Sequence, residues 1–530
     1  LTFRKGLFTL EPDMPERKLE DFALRLREND NVAVVKRPIK VGAELSTSSA
    51  CLTAARDIPP GHKIATSQIE DGQAVRKYGQ VIGFAKGRIA PGDHVHTHNV
   101  VMKDFGRDYE FCADARAVAY YPPDQMRYFQ GYLRPNGRVG TRNYLAVISS
   151  VNCSASTSHY VADKFKTTDF KRDFPGVDGV IAFTHKGGCA MQPGAPHKLL
   201  QRVLAGIARH PNISGYVMIG LGCEVNQVQF IAKDYKLDQP QPGELAPTFM
   251  TIQSTGGVRK TVEAGVAAVA RLLPVANDMR RTRQPISKLV LAENCGGSDG
   301  NSGITANPAL GVASDELVRY GGTSVLAETP EIYGAEHLLT RRAVTPEVGQ
   351  KLVSFIHWWE DHARMHNATI DNNPSYGNKE GGLTTIYEKS LGAVAKGGQS
   401  PLAAVYDYAE PITTPGFCFM DTPGYDPVSM TGLICGGCNI GVFTTGRGSV
   451  YGCKPAPCIK VATNTLLFNH MNEDMDINAG TILDGAETVE QVGLRIFEKI
   501  IAVANGEKTK SEVAGIGDEE FAPWMLGPTF

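Results

Sequence analysis

The sequence predicts an α/β protein in which a small β-rich domain precedes two α/β domains with mainly parallel sheets. Three observations carry this. The chain has 530 residues, more than one hydrophobic core usually organises, so two or three domains are expected. Between Asn31 and Met102 short apolar runs are broken by closely spaced Pro and Gly, the texture of a small β domain. Beyond residue 130, short apolar runs alternate with amphipathic stretches, as in a parallel sheet with helices on its faces.

In chain order, residues 1–30 carry mixed charge and the helix-like stretch Glu16–Arg27, and read as an extension. Residues 31–102 form the β domain, with apolar runs at Val32–Val35 and Val81–Gly83 and turns at Ile58-Pro59-Pro60-Gly61 and Ala90-Pro91-Gly92. Residues 103–130 are aromatic, charged and Pro-bearing without a period, and read as a linker. The first α/β domain, 131–284, has strand candidates at Tyr144–Val151, Val177–Phe183 and Tyr216–Leu221 and helix candidates at Pro196–Arg209 and Gly257–Leu273. The charged stretch Arg280–Pro285 marks a domain boundary. The second α/β domain, 285–530, has strand candidates at Leu289–Ala292, Ser324–Ala327, Phe417–Met420, Ile440–Phe443 and Ile459–Ala462. Pro346–Met365 and Val489–Ala504 are its long helix candidates.

Charge and composition exclude several classes. With 54 basic and 56 acidic residues and no long run of either sign, nothing tracks a phosphate backbone or an anionic bilayer. Apolar runs such as Gly215–Leu221 are too short to span a membrane, and no charged-then-apolar leader is present, so a cytosolic enzyme is expected. Eleven cysteines are too sparse for a disulfide scaffold, and an odd number cannot all pair within one chain, which favours reduced thiols.

The chemistry lies in the loops that the strands run into. Four apolar runs lead into Asn152-Cys153-Ser154, His185-Lys186-Gly187-Gly188-Cys189, Gly222-Cys223-Glu224 and Asn294-Cys295-Gly296-Gly297. In an open parallel sheet the carboxyl ends of the strands lie along one edge, where ligands bind, so cysteines distant in sequence can share a soft-metal site. Their wide spacing disfavours a closed zinc finger. Cys435-Gly436-Gly437-Cys438 is a Cys-x-x-Cys in a Gly-rich loop, open to metal, redox or plain loop readings. Asp421-Thr422-Pro423-Gly424-Tyr425-Asp426, Thr444-Thr445-Gly446-Arg447-Gly448-Ser449 and Thr463-Asn464-Thr465 offer hydroxyls, carboxylates, an amide and a guanidinium for a polyhydroxylated carboxylate, against a plain reading as solvated loops. Neither a Walker loop nor a dinucleotide fingerprint is present, so no nucleotide cofactor is expected. Alternation puts His94, His96 and His98 on one face of an extended strand, a metal-binding alternative to a polar strand edge. His62, in a Pro-Gly turn, is a proton-transfer candidate.

Beyond about the first 30 residues the chain resembles the altronate/galactarate dehydratase family. The resemblance rests on Gly61-His62-Lys63, Lys77-Tyr78-Gly79-Gln80-Val81-Ile82-Gly83, Asn136-Gly137-Arg138-Val139-Gly140-Thr141-Arg142-Asn143 and Cys295-Gly296-Gly297-Ser298-Asp299. Thr305-Ala306-Asn307-Pro308, Phe443-Thr444-Thr445-Gly446-Arg447-Gly448 and Met475-Asp476-Ile477-Asn478-Ala479-Gly480 complete it. It implies that the N-terminal domain is a β-clip, or antifreeze-like, domain. It also implies iron-requiring dehydration of a sugar acid to its 2-keto-3-deoxy product by loss of the α-proton and β-hydroxyl. His62 and Lys77 are then expected in proton transfer, and Asn307, Arg447, Thr444, Thr445 and Asp421 at the substrate. Cys153, Cys189, Cys223 and Cys295 form the pool of iron ligands, as Fe2+ or an iron–sulfur cluster, with His94, His96 and His98 the alternative. The histidine run and the Asp421 loop resemble the altronate branch; galactarate dehydration, sulfolactate sulfo-lyase chemistry and a non-enzymatic metal- or carbohydrate-binding protein are the alternatives. The expected partners are a small sugar acid and a second copy of the chain in a homodimer, with no nucleic acid and no membrane.

Overall fold

In the computed structural model, residues 17–526 are described except Ser49, Phe105 and Asp108. The chain divides into two compact units, one of Leu1–Lys103 with Gly382–Thr385 and one of Asp104–Gly381 with Ile386–Phe530.

The strands described in the smaller unit pair antiparallel, with one isolated parallel bridge between Lys18 and Ser46. A four-stranded sheet runs in the order Ala23–Leu24, Val32–Val35, Lys63–Ala65, His94–Val95, and a three-stranded one in the order Ala74–Lys77, Gln80–Ala85, Val100–Val101. Short strands joined by Pro-Gly turns bury a small cluster of Ala33, Val35, Ile39, Leu45, Leu52, Ile58 and Ile64, and Ile69, Val75, Ile82, Ile89 and Val95 are buried as well. The helix expected over Glu16–Arg27 is corrected: Glu16 lies outside the described residues, and only Leu19–Phe22 is helical. Ala23 then pairs with Val35. A single helical turn makes too few hydrogen bonds to repay its nucleation, whereas Leu19 and Ala23 gain burial in the β core, so residues 19–24 belong to this unit and not to an extension. The Asp30 carboxylate accepts hydrogen bonds from the backbone N–H groups of Tyr78 (3.2 Å) and Gly79 (2.7 Å), pinning a turn in which both residues have positive φ.

The larger unit contains the two parallel sheets that the alternating pattern predicts. The first has the order Gly179–Phe183, Tyr144–Ser149, Ile213–Gly220, Thr248–Thr251. Helix Ala195–Ala208 packs on one face, and helices Ala155–Asp163 and Val258–Asp278 on the other. Both faces are covered, which is why these strands read as near-continuous apolar runs. Tyr128–Leu133 pairs antiparallel with Thr282–Pro285, so the chain enters and leaves this domain side by side. The residues expected as linker and boundary thus make a ribbon of their own.

The second sheet has seven parallel strands in the order Leu402–Tyr406, Gly416–Met420, Thr323–Leu326, Val290–Cys295, Ile440–Thr445, Cys458–Ala462, Ile477–Asn478. From Val290–Cys295 the chain first builds outward on one side through Thr323–Leu326, then returns to add Ile440–Thr445 on the other. The sheet therefore reverses direction between Val290–Cys295 and Ile440–Thr445, and the loops leaving these two strands splay apart to form a crevice at their carboxyl ends.

The Asn136–Asn143 segment, one of those carrying the family resemblance, serves the fold. Arg142 forms a bidentate pair with Glu512 (2.7 and 2.8 Å) and also donates to the carbonyls of Val503 and Glu507, tying the first α/β domain to the end of the second. Removing one partner of a buried pair strands the other in a low-dielectric setting. Arg142→Ala is expected to cost about 3–5 kcal/mol, read as a lower urea midpoint; an unchanged midpoint would contradict the role.

Candidate active site

The residues that meet at the reversal come from several loops, because each strand there ends in one. Strand Val290–Cys295 delivers Cys295, fully buried among Glu328, Glu331, Lys389 and Lys396. Lys396 Nζ donates to Cys295 Sγ (3.0 Å) and to Glu328 Oε2 (2.9 Å). Lys389 Nζ donates to Glu331 Oε1 (2.6 Å) and Asn373 Oδ1 (2.9 Å). One donor atom each from Cys295, Glu328 and Glu331 lies within 4.8 Å of the other two.

Buried charge of this kind is costly and is a weak source of stability, so its concentration at a sheet's carboxyl edge points to chemistry. Burial pushes the Glu328 carboxyl above its ordinary range, with Lys396 opposing. Burial also pushes the Cys295 thiol up to about 12. For Lys396, burial works to lower the ammonium pKa, but Cys295 and Glu328 beside it outweigh that and hold it above its usual value. Asp426, at the start of the helix Asp426–Gly436, is raised to about 6 by burial and by Glu331.

Among the buried polar atoms without a hydrogen-bond partner are Glu328 Oε1 in this cluster and Glu293 Oε2, Asn294 Oδ1, Ser298 Oγ and Asn301 Oδ1 on the strand that delivers Cys295 and the loop that follows it. Buried polar groups are nearly always paired, so such a set marks where a polar ligand completes the bonding. Glu328 also adopts a left-handed backbone, φ 69°, a strained conformation for a residue with a side chain. Gly296 and Gly446 keep the floor open, since a Cβ would collide with the Asp426 carboxylate at the first and with the Asp299 carboxylate at the second. The Asp299 carboxylate takes hydrogen bonds from Ser302, Thr463 and Asn464, so it fixes two neighbouring loops to each other.

The expected substrate residues take different places here. Arg447 is exposed at the mouth and pairs with Glu380 at 3.3 Å. Thr444 donates to Asn307 Oδ1 (2.6 Å) while Asn307 donates to the carbonyl of Gly392 (2.9 Å), so these two spend hydrogen bonds on holding the loops. Thr445 accepts from Gly448 N at 3.1 Å. Asp421 Oδ1 accepts from Thr329 Oγ1 (2.5 Å) and Trp359 Nε1 (2.9 Å), and burial raises its carboxyl to about 6. A carboxyl raised in the fold binds more protons folded than unfolded, so its contribution to stability is lost as pH climbs from about 4 through 6. Asp421→Asn is expected to gain on the order of 3 kcal/mol relative to the parent across that window. The test is the difference between their unfolding midpoints at pH 4 and pH 7; a constant difference would contradict it.

The cysteines divide between the two sheets. Cys153, Cys189 and Cys223 are exposed on three loops at the carboxyl edge of the four-stranded sheet, and Cys295 is buried at the edge of the seven-stranded one. The three loops are bonded to one another: Asn152 N donates to the Gly187 carbonyl (2.9 Å), Asn226 N to that of Gly188 (3.1 Å) and Asn226 Nδ2 to that of Ser150 (2.8 Å). Gln253 Nε2 approaches Cys223 Sγ at 3.4 Å. The C-terminal segment reaches both edges, with Trp524 stacked on Trp359 (centroids 5.3 Å apart) and Met525 against Gly187. Cys435 and Cys438 are buried where Gly437, φ 119°, ends the helix Asp426–Gly436, and burial holds their thiols well above the usual range, so that Cys-x-x-Cys is core. A cavity of about 820 Å³ lined by Arg138, Arg202 and Arg209 holds none of the cluster residues.

In the smaller unit His62 and Lys77 are buried, the latter with its Nζ 4.7 Å from the centre of the Tyr78 ring. His62 Nδ1 and His94 Nε2 are 2.9 Å apart. His94 is pushed down to about 3, first by burial and then by His62, His96 and His98.

Sequence patterns alone did not single out Glu328, Glu331, Lys389 or Lys396, whereas Asp426 closes the polar loop Asp421–Asp426 that they did mark. Glu328-Thr329-Pro330-Glu331 comes just after strand Thr323–Leu326 and obeys the strand-end rule that drew attention to the cysteines. The two lysines lie seven residues apart around helix Ile386–Ala393 and the turn after it, and no motif marks them.

Three family models match. The one described as D-galactarate/Altronate dehydratase, C-terminal, covers residues 286–529. D-galactarate dehydratase/Altronate hydrolase, second domain, covers 131–277, and Altronate/galactarate dehydratase SAF domain covers 21–103. Among curated relatives, altronate dehydratase of Escherichia coli (strain K12) is 36% identical over 92% of this chain and 96% of its own length. Altronate dehydratase of Bacillus subtilis (strain 168) is 34% identical over the same shares. Galactarate dehydratase (L-threo-forming) of Escherichia coli (strain K12) is 37% identical over 92% of this chain and 93% of its own. No helix among the described residues is long and apolar enough to cross a membrane.

Proposed function

The chain belongs to the altronate/galactarate dehydratase family, and from that premise we propose that it dehydrates a D-altronate-type aldonate to the 2-keto-3-deoxy acid, with iron. Membership makes it a hydro-lyase of sugar acids. The reading is carried by one observation: a buried Cys–Glu–Lys cluster where the seven-stranded sheet reverses keeps one carboxylate oxygen, Glu328 Oε1, without a hydrogen-bond partner.

In this reading Arg447 receives the substrate carboxylate. Glu328 Oε1, the free oxygen of a carboxylate whose other oxygen Lys396 holds, takes the proton α to that carboxylate. The electron pair of the broken C–H bond forms the C=C bond as the β C–O bond breaks. Lys396, which contacts the same carboxyl through Oε2 (2.9 Å), gives a proton to the departing hydroxyl, and the proton taken by Glu328 is passed on to restore Lys396, so that one water leaves and both groups return to their starting state. The resulting enol takes a solvent proton at C3 and becomes the keto acid. An aldonate needs one carboxylate anchor, and Lys389 and Lys396 already face Glu331 and Glu328, which favours Arg447 as that anchor and a monocarboxylate over galactarate.

For iron, Cys153, Cys189 and Cys223 fit best: soft donors, exposed, on loops bonded to one another, the set for a cluster with one open iron. Cys295 fits poorly, because it is buried and engaged by Lys396. Bound there, iron would supply Lewis acidity toward the carboxylate and hydroxyl of the substrate. The substrate is tested by anaerobic, iron-replete assays of keto-acid formation from D-altronate, other aldonates and galactarate. D-altronate is expected to give the highest kcat/KM. A preference for galactarate would overturn the aldonate assignment, and sulfite from sulfolactate would replace it with sulfo-lyase chemistry.

A further inference from the structure

We propose that His62, His94 and His96 form a site for a divalent late first-row transition cation such as zinc(II) or cobalt(II), with His98 beside it. The smaller unit alone supplies these ligands, so the site does not depend on the dehydration. Strands Lys63–Ala65 and His94–Val95 pair antiparallel with Lys63 opposite Val95 and Ile64 opposite His94. Continuing that register sets His62 opposite His96, and alternation puts His62, His94 and His96 on one face with Lys63 on the other. Lys63 indeed turns away, donating to the Gly382 carbonyl at 2.6 Å.

The rings gather as ligands would. Their centroids are 5.0 Å apart for His62 and His94, 4.8 Å for His62 and His96, and 5.4 Å for His94 and His96. Imidazoles bound tetrahedrally at 2.0–2.1 Å place ring centroids about 5 Å apart. His98 lies 5.5 Å from His94 on the same measure. The supports are those of a prepared site. Asn99 accepts from His96 N (2.8 Å) and donates to the His94 carbonyl (3.0 Å). Thr97 Oγ1 meets His96 Nδ1 at 3.0 Å, an outer contact that orients the ring and leaves Nε2 as the ligand atom. Gly61, φ 83°, closes the turn that presents His62. All-nitrogen donors suit zinc, cobalt, nickel or copper, in contrast to the thiols of the larger unit. The assignment gives His62 the work of a ligand in place of proton transfer.

The test is cobalt(II) titration of the metal-free full-length chain carrying Cys153→Ser, Cys189→Ser and Cys223→Ser, followed by visible spectroscopy. One equivalent is expected to bind with d–d bands and without the near-ultraviolet charge-transfer band of a thiolate. His94→Ala should weaken it at least about 10-fold. His96→Ala should do the same with an unchanged circular dichroism spectrum. No bound cobalt, a thiolate band, or equal affinity in both histidine variants and the parent would overturn the site.

Discussion

Glu328→Gln lowers kcat by about 100- to 10,000-fold while leaving the fold in place. The amide keeps the shape of the side chain and an acceptor for Lys396, but it cannot take a proton. The parent's acid limb in kcat against pH should lie above the ordinary carboxylate value of about 4.3, because burial raises the Glu328 carboxyl. Below that limb the group is protonated and the rate falls; above it the base is free. A variant with near-parent kcat, or an acid limb at the ordinary value, would remove Glu328 as the base. Lys396→Met is the companion: it should lose turnover comparably, since Lys396 is matched to both Cys295 and Glu328.

The second large effect concerns the thiols. Serine at any one of Cys153, Cys189 or Cys223 should strip most of the iron and at least about 100-fold of the rate, whereas Cys295→Ser should keep its iron. The contrast comes from position: three exposed thiols on bonded loops of one sheet, and one buried thiol on the other. Iron and acid-labile sulfide measured after anaerobic purification check it. Iron without sulfide would exclude the cluster, and loss of iron from Cys295→Ser alone would move the metal to the switch-point edge, where Cys295, Glu328 and Glu331 already form a compact donor set.

Much of this was legible in the chain. Doubly covered parallel strands announce themselves as apolar runs, so Leu289–Ala292 and Ile440–Phe443 were legible, although the strands continue through the residues read as loop, to Cys295 and Thr445. The cysteines at strand ends were equally plain. What periodicity could not show is strand order: it is the return to the other side of Val290–Cys295 that separates Cys295 from the other three thiols and joins it to Glu328 and Lys396. Those residues carry no motif, because a buried ion pair is made by tertiary packing between a strand-end loop and a turn 68 residues away. The run Glu16–Arg27 misled for a related reason: its local pattern is helical, but burial of Ala23 beside Val35 decides its structure. Alternation already placed His94, His96 and His98 on one face, and the cross-strand register adds His62 to them.

The central claim, loss of water from an aldonate through an enol, is tested most directly by nuclear magnetic resonance of the product formed from D-altronate in heavy water under anaerobic, iron-replete conditions. The account predicts a 2-keto-3-deoxy acid carrying a single solvent deuteron at C3, with no product from Glu328→Gln on the same timescale. No keto acid from any sugar acid of the panel, or a keto acid whose C3 carries no solvent deuteron, would contradict it.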